Sequence, residues 1–503
     1  MISRAALVAA VALMVGTALA VPASAQHEHH MPLGITVMPA AHLQAMIDAA
    51  PTGALVPVPE ARYVGTIVVD RPLTLQGVGR PVLDGDGAGS VLTITAADVT
   101  VRDLVIRGSG SGPVGSPSGV MIEGADRARI ERVRIERSYI GITVRGSAGV
   151  VIEHVRIAGP REGAIEGEIH AVASEGDADA TEHDHAAPAR LPGELLLRGD
   201  GIWLWNAVDA VVRGTWISDV RDGIYLSYGE GALLEENLIE RSRYGVHDMY
   251  AKDLTIRDTT MRANLSGCVL MYGGPVLLER NTILESGSPS TGFAVLIKDA
   301  GGVTLRENVL ADNRIGLHVD DAGRTGGEAT WVEANTIAMN QVGALLYPSS
   351  DATFVRNSFV ENSTQVTLGG DGRTQAVWSA NGVGNHWSDY RGFDRGGDGI
   401  GDLPYTQGGR TSRLLAREPL LIALASGPAF RLLSAFDDRW SLAEPVVVDP
   451  DPLMSSTSPS LRGARSGGTV PLWLPGLAML AASTWLLLRA RRRPLGRTAV
   501  AHG

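Results

Sequence analysis

The chain has 503 residues, 44% hydrophobic and 5% aromatic, with 61 glycines, 26 prolines and 55 acidic against 44 basic side chains. This is a globular composition, and a formal net charge of -11 excludes a general nucleic-acid binder, which needs a basic face to displace phosphate counterions. The single cysteine, Cys268, excludes an intramolecular disulfide framework and zinc-finger or thioredoxin spacings, so packing alone must hold the fold.

Residues 1–25 read as a signal peptide: Arg4, an apolar run from Ala5 to Ala20, then the small-x-small pattern Ala23-Ser24-Ala25. Export places the bulk of the chain outside the cytoplasmic membrane. A His-rich terminus, 26–39, follows with His27, His29, His30 and Met31; such tracts bind Cu or Zn, or serve as solvated tails. The alanine-rich stretch from Ala40 to Ala50 fits a short amphipathic helix closing the end of a solenoid.

The solenoid is expected from a repeat. Val133 and Val155, then Thr215, Asn237, Thr259 and Asn281, lie 22 residues apart within each run, and Asn308, Asn335 and Asn357 continue at 27, 27 and 22. Gly141, Gly163, Gly223, Gly245, Gly267 and Gly316 follow their anchors by eight residues and are read as recurrent turns between β-branched strands. The pattern predicts an all-β fold over 40–377: a right-handed parallel β-helix of about ten to twelve coils of roughly 22 residues. In it the repeated Asn would form a structural ladder from left-handed turn positions.

Phase along the coils sorts side chains into faces. Ile202, Ile224, Val246, Cys268, Ala294, Leu317 and Leu204, Leu226, Asp248, Leu270, Leu296, Val319 are expected to point inward. The intervening columns, Trp203, Tyr225, His247, Val269, Val295, His318 and Trp205, Ser227, Met249, Met271, Ile297, Asp320, are expected to point outward, with Tyr228, Tyr250 and Tyr272 stacked beside them. An outward face this aromatic is covered by something or binds something. His247, Met249 and Met271 could converge on one patch, and imidazole with thioethers favours Cu(I) over hard cations. The competing reading is an apolar docking surface with His247 at its rim. His318 is a further metal candidate, two coils beyond Met271, and shares an ion only if the intervening chain bends. Asp219 and Asp222 read as turn formers.

A polar insertion, 168–192, carries His183 and His185, further auxiliary ligand candidates. Asp394, Asp398 and Asp402 resemble a calcium loop but lack a terminal bidentate Glu. Residues 378–448 are expected to cap the β-helix or to dock on a transporter, and 449–469 to form a linker. The run 470–488 has the length and apolarity of a transmembrane helix, and the basic tail 489–503 would then be cytoplasmic.

The segments Gly201-Ile-Trp-Leu-Trp205, Asp222-Gly-Ile-Tyr225, Arg243-Tyr-Gly-Val-His247-Asp-Met249-Tyr250, Gly384-Asn-His-Trp-Ser-Asp389 and Gly397-Asp-Gly-Ile-Gly-Asp402 resemble the NosD family, over roughly Val91 to Pro445. The resemblance implies an extracytoplasmic β-helix without catalysis of its own. Such a protein works with an ABC transporter permease to help assemble the copper-sulfur centre of nitrous oxide reductase. Carried onto this chain, His247, Met249 and Met271 are the implied Cu(I) contacts, and the columns of Trp203, Trp205, Tyr225, Tyr228, Tyr250 and Tyr272 the implied partner face. The C-terminal membrane helix and the His-containing insertion depart from a soluble member and suggest a tethered version. Two other classes compete: a carbohydrate-binding or carbohydrate-active β-helix, which needs an acid/base constellation, and a metal-independent docking scaffold.

Overall fold

Strands of three to six residues, separated by corners with left-handed backbone, build the fold. The computed structural model describes residues 35–159, 198–287, 292–320, 328–370, 374–408 and 445–456, with scattered positions between 414 and 436. Successive strands join three parallel sheets of 14, 12 and 12 strands in turn, so each coil adds one rung to each sheet. This is a parallel β-helix. Its interior is the single apolar core: Ile224, Leu226, Val246, Cys268 and Leu270 are fully buried on successive rungs.

The Asn ladder forms. Asn281 donates its backbone N–H to Asn308 Oδ1 (2.9 Å), Asn308 to Asn335 Oδ1 (2.9 Å), and Asn335 to Asn357 Oδ1 (3.0 Å). The left-handed residue, however, is the one before each Asn: Arg280, Glu307, Ala334 and Arg356 have φ of 52, 57, 54 and 56°. That corner turns the Asn side chain inward, where its amide also donates to the preceding coil, as Asn308 Nδ2 does to Leu278 O at 2.9 Å. A second ladder, unseen in the sequence, runs five residues further on through Asn313, Asn340 and Asn362. Replacing Asn308 by leucine strands the buried Asn281 N–H and removes the donor to Leu278 O, while Asn335 Oδ1 keeps the backbone N–H of residue 308. The expected loss is about 2 kcal/mol, read by denaturant unfolding.

Both ends are closed. Helix α1, Ala40–Ala49, buries Ala40, Leu43 and Ile47 over the first coils. At the other end Phe354, Phe359, Trp378, Trp387 and Tyr405 stack on one another, with centroid separations from 4.3 to 6.3 Å. The antiparallel pair Tyr405–Gln407 and Val447–Asp449 seals them. The stack therefore runs past residue 377 to the rung His386–Trp387. Asp449, expected to open the linker, is instead buried in the cap and accepts from Trp387 Nε1 (2.9 Å) and the Asn385 N–H (2.8 Å). The signal peptide, His27, His29, His30, the insertion 168–192 and residues 470–503 lie outside the described residues. Among the described residues no helix is long and apolar enough to cross a membrane.

Candidate functional site

Seven neighbouring strands of one 12-stranded sheet carry the candidate face: β1 Ile202–Trp205, β2 Asp222–Ser227, β3 Tyr244–Met249, β4 Ser266–Met271, β5 Phe293–Lys298, β6 Ile315–Asp320 and β7 Val342–Leu346. Of the recurrent glycines, Gly223, Gly245, Gly267 and Gly316 lie inside these strands rather than at turns. Asp222 pairs with Tyr244, the next position is skipped, and Ile224 pairs with Val246. At the skipped position a Cβ on Gly223 would sit 2.3 Å from a methyl of core residue Ile239 and 2.5 Å from Gly245 O, so glycine is required. The skip lets Asp222, Tyr225 and Ser227 face outward while Ile224 and Leu226 face the core.

The register corrects two columns. Val269 pairs with Leu296 and Met271 with Lys298, one residue later than expected, so Ala294 and Val295 are both buried and Ile297 is core. All five extra residues of the coil between Asn281 and Asn308 precede β5, which starts 27 residues after β4.

Trp203, Tyr225 and His247 form one continuous stack, with centroids 6.2 and 4.9 Å apart and interplanar angles of 9 and 22°. Beside it Met249 and Met271 are direct partners on β3 and β4. Tyr225 Oη donates to Met249 Sδ at 3.5 Å, joining the two columns. Trp205 heads the methionine column with the Arg145 guanidinium 5.5 Å from its ring. Tyr228, Tyr250 and Tyr272, at left-handed corners, stack 5.0 and 5.1 Å apart and cover one another's faces.

Behind His247 lies a set of charges that sequence reasoning misjudged. Asp222 is a fully buried strand residue, not a turn former, and accepts from Arg243 Nε (2.8 Å), Arg243 Nη2 (2.6 Å) and His247 Nδ1 (3.0 Å). Burial pushes its carboxyl up, but the hydrogen bonds from His247 and Arg243 outweigh it and hold it well below the usual range. A carboxylate only accepts, so Nδ1 carries the proton and, in the neutral ring, Nε2 keeps the lone pair. That tautomer is the one a metal ligand needs, with the carboxylate orienting the ring from behind. One coil earlier Asp200 takes Arg221 in the same way, at 2.9 and 2.8 Å. The signal was in the chain: Asp200/Asp222 and Arg221/Arg243 each repeat at 22 residues. Asp219 does sit at a corner, with φ of 59° and Arg241 at 3.1 Å.

His318 shares no ion with His247. It lies three strands further along the sheet, about 14 Å at the usual strand spacing. Its ring is packed against Phe293 and Tyr347, and burial, with Lys298 second, pushes it down to about 3. The three carboxylates of the supposed calcium loop serve their own backbone: Asp394 accepts from Gly397 and Gly399, Asp398 from Ile400, and Asp402 from Arg395. Among the described residues no group of three or more His, Cys, Asp or Glu is placed to hold a metal ion. The patch offers one imidazole with two thioethers, a soft donor set. With Asp200 and Asp222 both tied to arginines, neither is a free acid or base for sugar chemistry.

A family model described as periplasmic copper-binding protein (NosD) matches residues 173–392, which include every residue of this patch. Two curated relatives, from Pseudomonas aeruginosa and Stutzerimonas stutzeri, are each described as a probable ABC transporter binding protein NosD. They are 29% identical over 415 and 414 residues, covering 77% and 79% of this chain and 84% and 86% of their own. The chain is similar to the NosD family over most of its length. Among solved structures, the A-module of mannuronan C-5 epimerase AlgE6 from Azotobacter vinelandii aligns over 69% of this chain and 97% of its own, with TM-score 0.47 and 15% identity. A GH87 α-1,3-glucanase catalytic domain in complex with nigerose aligns over 71% and 69%, with TM-score 0.46 and 13% identity. Neither likeness bears on what this chain does.

Proposed function

We propose that this protein is an exported accessory factor that takes Cu(I) as cargo on its outward face and hands it on, with an ABC transporter permease, for maturation of nitrous oxide reductase. The observation that carries this is the buried Asp222 holding His247 by Nδ1, next to the in-register thioethers of Met249 and Met271. His247 and the two sulfurs are the ligands, and the half-exposed aromatic columns are the face that meets the partner. Thioether and imidazole bind Cu(I) without a thiolate, and Cys268, buried in the core with its thiol pushed up by burial and then by Asp248, contributes none. The family model's copper-binding description and the relatives' ABC-transporter description support the reading. Retention at the membrane by residues 470–488, and a supporting role for the histidines at 27, 29, 30, 183 and 185, are parts of the same proposal.

The test is an anaerobic competitive titration of Cu(I) into the full chain, beside a variant with His247, Met249 and Met271 changed to Ala and a second variant with the five tail and insertion histidines changed to Ala. The tight phase is expected to vanish in the first variant and persist in the second. Tight binding that survives the triple change makes this face a docking surface and overturns the proposed cargo site.

A further inference from the structure

The acid–base pairs behind the outward face continue for two coils and then stop. Each arginine sits just before the position in register with the preceding coil's aspartate, as Arg243 does against Asp222. Following those columns along the sheet, the acidic position passes to Tyr244, Ser266 and Phe293, and the basic position to Leu265, Gly292 and Arg314. Arg314 is therefore an arginine of the basic column whose acid has become Phe293.

No other acid replaces it. Among the described residues no carboxylate pairs with Arg314, its Nε is buried without an acceptor, and burial alone pulls its guanidinium down. The neighbouring groups are in the same condition. His318, with its ring 4.9 Å from Phe293, has both nitrogens buried and unbonded. Gln341, the next residue in the column of Arg314, has a buried, unbonded Oε1, and so does Thr364 at Oγ1 one coil on. Ten buried side-chain N and O atoms lack a partner among the described residues, and five of them lie on this one patch. Native proteins pair such groups, so their concentration at one place points to a ligand. Leu421 packs on the adjacent Ile315 and Val342, and an apolar cover of this kind strengthens a charge interaction beneath it.

The donors select the ligand's sign and shape. A guanidinium fork that stays charged, one N–H from a neutral imidazole and a hydroxyl, with no acid among them, match an anion presenting two or more oxygens. We propose that Arg314, His318 and Thr364, with the Gln341 amide turned so that its Nε2 rather than its oxygen faces them, form an oxyanion-binding site, separate from the His247 patch, for a carboxylate or a tetrahedral oxyanion. The site does not depend on copper.

Thermal unfolding of the full chain in low-millimolar sodium acetate or sodium sulfate, each against sodium chloride of equal ionic strength, tests this. Wild type is expected to gain Tm in at least one anion; acetate alone would mark a carboxylate site and sulfate alone a tetrahedral one. Arg314→Leu is expected to be at least as stable as wild type in chloride, since an uncompensated charge has been removed, and to show no anion-dependent gain. His318→Phe keeps the ring packing and is expected to reduce the gain. Equal gains in wild type and Arg314→Leu, no gain in wild type with either anion, or a large loss of stability in Arg314→Leu in chloride would each overturn the proposal.

Discussion

Replacing Asp222 by alanine is expected to lower the unfolding free energy by about 3–5 kcal/mol, because it leaves the Arg243 guanidinium buried without its acid. The loss exceeds that of a solvent-screened surface pair such as Arg280 with Asp258. The same substitution frees His247 Nδ1. The milder Asp222→Asn keeps the volume and one acceptor, so it separates the two roles. Its fold should survive, while the ring loses the acceptor that fixes its tautomer. Cu(I) affinity should then fall about 10- to 100-fold, the usual cost of losing the group behind a ligand. Denaturant unfolding reads the first effect and competitive titration the second. Unchanged Cu(I) affinity in a folded Asp222→Asn would assign the pair to structure alone.

Asp248 is expected to contribute a loss of stability as pH rises from about 4 to 7. Asp248 lies between His247 and Met249 but faces inward: Oδ1 accepts from the Ala251 N–H at 3.0 Å, and Oδ2 has no partner. Gly273 packs against the free oxygen, so closely that a Cβ there would be 2.9 Å from it. Burial pushes this carboxyl up to about 7, with the Ala251 amide acting the other way. A carboxyl raised in the folded state binds its proton more tightly there than in the unfolded chain. Its penalty is absent below the unfolded value of 3.8, grows through the interval, and is complete above about 7. At 1.36 kcal/mol per pH unit the penalty is of order 4 kcal/mol. Asp248→Asn is neutral throughout, so its stability relative to wild type should rise between about pH 4 and 7 and level off above that, measured by denaturant unfolding from pH 4 to 8. A pH-independent difference would show that Asp248 does not titrate in the core.

The inward face, the ladder and the outward aromatic columns were legible because a parallel β-helix turns sequence period into spatial neighbours. Residues 22 apart at one phase must touch, and Asn237, Asn281 and His247 beside Tyr225 follow from counting. Counting failed where a coil changed length: the five residues ahead of β5 shifted its columns by one, and only the hydrogen-bond register showed which end of the coil took them.

The chain by itself determined the repeat, hence the architecture and which residues share a face. Only the tertiary structure decided what those residues do to one another. Asp222 meets His247 and Arg243 diagonally, across 25 and 21 residues, and that contact exists because a skipped glycine turns Asp222 outward while its neighbours stay in the core. Arg314 and His318 occupy the same columns as Arg243 and His247, yet Phe293 stands where an aspartate would meet them, and Arg314 Nε and both His318 nitrogens have no hydrogen-bond partner among the described residues. Side-chain direction, set by backbone geometry at one residue, separates these two outcomes, and no periodicity encodes it.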